Sequence, residues 1–175
     1  KMKNKKTFLV TGGTGFIGRN IVSLLLKKNY NILVLDDGSR GAFNKIINKR
    51  IKYIKGDIRE KKLLNKCLKK VHAVIHLAYI NGTKYFYEKP DVILDVAIKG
   101  LINVFDGCKK YKIKELYLAS SSEVYQTPLK IPTDENEMLK IPDIYNPRYS
   151  YGGGKILTEL MGIHYGKKFF KRLII

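Results

Sequence analysis

Short apolar runs alternate with helix-length amphipathic segments along the whole chain, and that alternation predicts a parallel sheet with helices on both faces. The strand-like runs are Thr7 to Val10, Asn31 to Leu35, Ile51 to Ile54, Ala73 to Ala78 and Glu115 to Ala119, and Leu173-Ile174-Ile175 begins a sixth. Helical patterns cover Phe16 to Lys28, about Glu60 to Lys70, about Asp91 to Cys108 and about Ser150 to Phe169. In the third of these, Val92, Val96, Leu101, Val104 and Phe105 recur near the 3.6-residue period. Residues 126–149 hold four of the five prolines and no apolar period, so a long loop is expected there, and long loops in compact domains tend to carry function.

The 175 residues suit one domain, spanning 1–175, of α/β class with a doubly wound, Rossmann-type sheet. No run approaches the roughly 20 apolar residues a membrane-spanning helix needs, and the lysine-rich start does not read as a signal peptide. The expectation is a soluble, cytoplasmic protein with no membrane partner. Cys67 and Cys108 lie in helical patterns without metal-ligand spacing; they read as reduced cysteines, and no metal site is expected. The net charge of +19, from 34 Lys and Arg against 15 Asp and Glu, invites a nucleic-acid reading. The distribution argues against it. The lysines fall in short groups (Lys3, Lys5, Lys6; Lys61, Lys62; Lys69, Lys70; Lys109, Lys110) with no interleaved aromatics, so the charge implies weak salt-sensitive adhesion but no specific nucleic-acid partner.

Candidate chemistry begins at Thr11-Gly-Gly-Thr-Gly-Phe-Ile-Gly18, set between the first strand and the first helix. Gly12, Gly15 and Gly18 fall where a strand must turn sharply into a helix. Without Cβ atoms there, backbone amides can approach a pyrophosphate, and the helix N-terminus adds partial positive charge. The second strand then ends at Asp36. A carboxylate in that place accepts from an adenosine ribose and repels a 2′-phosphate, so NAD is expected over NADP.

A second cluster follows the fifth strand, at the edge where parallel sheets bind ligands. Ser120, Ser121, Ser122 and Glu123 stand there, and Tyr151 and Lys155 lie four apart on the last helix, hence on one face. An ammonium beside a tyrosine stabilises phenolate and lowers its pKa, which would make Tyr151 a usable general base.

With these motifs in order, the chain resembles the extended short-chain dehydrogenase/reductases, specifically the NAD-dependent nucleotide-sugar epimerases, dehydratases and decarboxylases. Gly56-Asp57-Ile58-Arg59, Val74-Ile75-His76-Leu77-Ala78, Ser120 to Tyr125, and Asn146-Pro147-Arg148 belong to the same resemblance. It implies that Asp57 and Ile58 contact adenine, that Phe16 and Ile17 lie beside the pyrophosphate, and that Leu77 and Ala78 line the way to the nicotinamide. It implies that Ser121 holds the sugar hydroxyl, that Tyr151 takes its proton, and that Lys155 tunes Tyr151 and holds the nicotinamide ribose. A nucleotide sugar oxidised at C4 and then re-reduced would make the enzyme an epimerase. A 4,6-dehydratase or a UDP-glucuronate decarboxylase is the alternative, with Glu123 as base and Ser122 in the acid position; a non-catalytic nucleotide- or RNA-binding relative ranks below both. Relatives pair the helices matching Asp91–Cys108 and Ser150–Phe169 across a two-fold axis, which implies a homodimer.

The chain departs from the family pattern at Ala97, where Asn is common, at Gln126, where Gly is usual, and at Gly152-Gly153-Gly154 between Tyr151 and Lys155. Each of those glycines costs a helix roughly 1 kcal/mol relative to Ala. Family members also carry a smaller C-terminal domain that grips the sugar nucleotide. The expectation is therefore a cofactor-binding part, cut at the start of strand six without its substrate domain, that binds NAD yet turns over no nucleotide sugar by itself.

Overall fold

A computed structural model describes residues 6–40 and 45–175; Lys3 and Lys5 of the first basic group lie outside the described residues. Six strands form one sheet: β1 (Thr7–Thr11), β2 (Asn31–Asp36), β3 (Ile51–Lys55), β4 (Ala73–His76), β5 (Glu115–Leu118) and β6 (Arg172–Ile174). Every pairing is parallel and the order is β3-β2-β1-β4-β5-β6. The order reverses between β1 and β4, so a crevice opens beyond their C-terminal ends, where the glycine turn lies.

Helix α1 (Phe16–Lys27) covers one face, with Val22 and Leu25 packed on Phe8, Val10, Ile32 and Val34. It stops at Asn29, whose φ of 65° takes the left-handed conformation usual just past a helix end, and the amide of Tyr30 closes back on the carbonyl of Leu25 at 3.1 Å. The other face carries α2 (Lys61–Leu68), a long rod, and α6 (Tyr149–Leu160). Their apolar sides meet around Leu9, Leu68, Leu101, Phe105 and Leu116. The rod comprises α4 (Pro90–Asp95), a π-helical turn (Val96–Gly100) and α5 (Leu101–Lys110). A second π-helical turn, Met161–Gly166, extends α6.

Several boundaries differ from expectation. β4 ends at His76 rather than Ala78: the amide of Leu77 still donates to the Thr11 carbonyl at 3.1 Å, but that of Ala78 turns to the Thr11 hydroxyl at 3.2 Å. The final helical stretch ends at Gly166 rather than Phe169, where Phe170 packs into the core. A short helix, α3 (Thr83–Glu88), stands where no periodicity announced one; Phe86 alone of its residues is buried. The long loop is irregular up to Tyr149, as expected, and the amide of Lys140 anchors it to the carbonyl of Val124 at 3.0 Å.

Candidate active site

The glycine turn is shaped by contacts that exclude a side chain. Gly12 has φ +71°, and a Cβ there would come within 2.8 Å of the Ala78 amide nitrogen; one on Gly18 would overlap the Gly12 carbonyl oxygen. Helix α1 therefore begins hard against the turn, and no side chain caps its N-terminus. Its first amides are left pointing outwards, an arrangement suited to an anionic group. Phe16 and Ile17 are exposed beside them.

A cavity of about 470 Å³ opens in front of this turn. Gly12, Gly15, Phe16, Ile17, Gly18, Asp36, Asp57, Ile58, Leu77, Ala78, Tyr151 and Lys155 all line it, so the fold gathers around one cavity every residue that the sequence assigned to the cofactor. Both carboxylate oxygens of Asp36 accept backbone bonds, one from Thr14 and one from Gly38, each at 2.9 Å. Asp57 is held by Arg59, whose guanidinium also reaches Asp95 on α4 at 2.8 Å. The hydrogen bonds from Arg59 outweigh the burial of Asp57 and hold its carboxyl below the usual range.

At the other end of the cavity stand Tyr151 and Lys155, both buried. Lys155 Nζ donates to the Ala119 carbonyl at 2.7 Å and lies 5.7 Å from the Tyr151 ring centre. Burial depresses the lysine to about 8. Tyr151 departs from expectation: burial and the Glu123 carboxylate push its phenol above its ordinary value, and Lys155 does not offset them. The opposing influences are a hydrogen bond with Ser121 and the charge of Arg40. The upward shift makes Tyr151 a less ready base than the sequence suggested.

Ser121, Ser122 and Glu123 do not line the cavity. Ser121 sits beside Tyr151 and caps a short 3-10 helix, Ser122–Val124, by accepting from the Glu123 amide. Ser122 faces solvent, and the Glu123 carboxylate lies 3.5 Å from Arg148. Ser120 does reach the cavity, and its hydroxyl hydrogen-bonds Glu159 on α6.

The sequence did not single out Arg40, Tyr79 or Glu159, because each acquires its place only through a loop or a contact across the sheet. His76 stood within a quoted motif, with no role assigned. Its Nδ1 lies 2.8 Å from the Thr11 hydroxyl.

Residues 8–175 match the family model described as the NAD dependent epimerase/dehydratase family. The chain belongs to the NAD-dependent epimerase/dehydratase family. A protein of Methanocaldococcus jannaschii carrying the provisional name UDP-glucose 4-epimerase is 37% identical over 153 residues, 86% of this chain and 48% of that protein. The UDP-glucose 4-epimerase of Lactobacillus helveticus is 32% identical over 86% of this chain and 44% of its own length. Among solved structures, the UDP-glucose 4-epimerase of Bifidobacterium longum, in complex with NAD+ and UDP, superposes with a TM-score of 0.83 at 26% identity, covering 96% of this chain and 52% of that one. The chain thus spans about half the length of the relatives it matches. The epimerase/dehydratase fold accounts for the strand order and for a ligand crevice beside the glycine turn.

Proposed function

We propose that the chain forms the NAD-binding and acid-base part of a nucleotide-sugar 4-epimerase. The observation that carries this reading is the single cavity running from the glycine turn and Asp36 to Tyr151 and Lys155. The fit is physical: the Gly12 and Gly18 approaches leave no room for side chains, and Gly15, Phe16, Ile17 and Gly18 at the uncapped head of α1 line the cavity. NAD, when bound, would supply a hydride acceptor with a cationic ring. The chain's own residues do the rest. Gly12, Gly15 and Gly18 let backbone amides meet the pyrophosphate, Asp36 meets the ribose, and Asp57 and Ile58 meet the adenine. Tyr151 exchanges a proton with the sugar hydroxyl while Ser121 holds it in line, and Lys155 holds the nicotinamide ribose.

The pairing of Glu123 with Arg148 and the solvent exposure of Ser122 favour epimerisation over the dehydratase or decarboxylase reading. Elimination would need both groups free to act on the sugar. Leu94, Ile98 and Ile102 on the rod and Leu160 on α6, each more than a third exposed, form the outer face proposed to pair in a homodimer. A cytoplasmic setting and a nucleotide-sugar substrate complete the reading.

Incubation of the whole protein with UDP-, GDP- and dTDP-sugars, with products read by NMR, tests it. Inversion at C4 is expected, whereas a 4-keto-6-deoxy sugar or a pentose product would replace the epimerase reading by its alternative. The 175-residue chain by itself is expected to bind NAD in calorimetry without forming product.

A further inference from the structure

Tyr79 follows β4 and lines the same cavity, and its ring packs against both Lys155 and Tyr151. Lys155 Nζ lies 4.0 Å from the centre of its ring, closer than to the Tyr151 ring. Tyr151 meets the same ring edge-on, 5.1 Å between centroids. The hydroxyl of Tyr79 is buried, with no hydrogen-bond partner among the described residues, so hydrogen bonding does not account for its place. Space for it comes from two positions where the chain departs from its family. A Cβ on Gly154 would overlap the Tyr79 hydroxyl oxygen and come within 3.0 Å of the Ala97 Cβ. Gly154 on α6 and Ala97 in the π-helical turn are small where this phenol end fits.

We propose that Tyr79 is a positioning residue for Lys155: its ring face holds the ammonium in place beside Tyr151, and Gly154 with Ala97 makes room for that ring. The physical reason is the ring's negative face. A buried ammonium with one carbonyl partner is short of stabilisation, and an aromatic face at this distance supplies it without a competing proton. The titratable groups around Lys155 are His76 from β4, Tyr79 itself, and Tyr151 on its own helix; Glu159, one turn further on α6, is engaged by Ser120. His76 is held neutral by burial, and among the described residues the ammonium donates its hydrogen bond to the Ala119 carbonyl rather than to a carboxylate.

The proposal rests on the reading above only in that Lys155 belongs to the site, and its test does not need turnover. The Lys155 side chain is titrated by NMR of its Hε, Cε and Nζ resonances in the chain, assigned through Lys155→Arg, in wild type, Tyr79→Phe and Tyr79→Leu. The wild-type midpoint is expected near 8. Tyr79→Phe keeps the ring and should keep that midpoint, while Tyr79→Leu should lower it by about one pH unit, the worth of a desolvated cation–aromatic contact. An unchanged or raised midpoint in Tyr79→Leu overturns the proposal, as does a Tyr79→Phe midpoint that falls as far as leucine's. Should Tyr79→Leu not fold, the wild-type protein still decides, because Hε protons over a ring face are shifted upfield and unshifted protons would overturn it. Failure of wild type to bind NAD in calorimetry would count against the proposed function and leave this result standing.

Discussion

The Asp36 carboxylate at the end of β2 accepts the backbone amide of Thr14 in the glycine turn at 2.9 Å. Its other oxygen accepts the amide of Gly38 at 2.9 Å. One side chain therefore fixes the turn and the loop after β2 while bordering the cavity. Remaining lone pairs can serve a ribose, and its charge repels a 2′-phosphate. NAD is expected to bind at least about tenfold more tightly than NADP, a gap of ~1.4 kcal/mol, and Asp36→Ala should abolish the preference. The same variant should lose ~1–3 kcal/mol of stability in urea, because a buried amide is left without its acceptor. Equal affinities of the wild type in calorimetry would remove the ribose role.

His76 governs the acid side of stability. Burial, with Lys155 adding to it, lowers its pKa from 6.5 to about 3, and the Thr11 hydroxyl lies 2.8 Å from its Nδ1. Between those two values the unfolded chain holds a proton that the folded chain refuses. Stability therefore rises with pH across that window and is lost as pH falls from 6.5 towards 3. Urea midpoints of wild type measured between pH 4 and 7 should fall with acid, and His76→Gln should flatten that dependence by up to about one proton, ~1.4 kcal/mol per pH unit. An unaltered slope in the variant would mean that other groups carry the acid response.

The strands, the first glycine turn and the wall of the cavity were legible because each depends on local pattern: an apolar run, a Cβ-free turn, an acid at a strand end. What the sequence concealed depends on contacts between distant segments. The rod of α4 and α5 reads as a plain helix, yet its middle widens into a π-helical turn that places Val96 and Leu101, five residues apart, both in the interior. Gly100 in that turn lies against Ile58, where a Cβ would overlap the side chain. The four-residue spacing of Tyr151 and Lys155 correctly put them on one face, but spacing says nothing of burial. Burial decided the direction of the tyrosine's shift, and a ring arriving from the segment after β4 packs against both members of the pair.

Gln126 offers a test of a local departure from the family. Its φ is +50°, a left-handed conformation in which glycine is free of strain, which explains why glycine is usual there. Its side-chain amide donates to the Glu123 carbonyl, giving the turn a partial replacement. Gln126→Gly should relieve roughly 1 kcal/mol of backbone strain and forfeit a hydrogen bond of similar worth. Stability within about 0.5 kcal/mol of wild type is expected in thermal unfolding, whereas Gln126→Val should be destabilised because a β-branched residue tolerates that φ poorly. A valine variant as stable as wild type would refute the strain argument.

Burial and the Glu123 carboxylate raise the Tyr151 phenol above its ordinary value, outweighing the Ser121 hydrogen bond and the charge of Arg40. A cationic ring brought into the cavity should reverse that balance, since a positive charge in a site shielded from water favours phenolate strongly. Saturating NAD is therefore expected to lower the Tyr151 midpoint, read as a phenolate absorbance difference between wild type and Tyr151→Phe, while NADH, whose ring is neutral, should lower it less. In the whole protein, Tyr151→Phe should reduce turnover at least about 10²-fold with NAD affinity nearly intact, as expected for loss of a proton-transfer group rather than a binding group. If NAD leaves the midpoint unmoved, or if the phenylalanine variant turns over normally, the base is another residue, and Ser120, which lines the cavity and hydrogen-bonds Glu159, becomes the place to look.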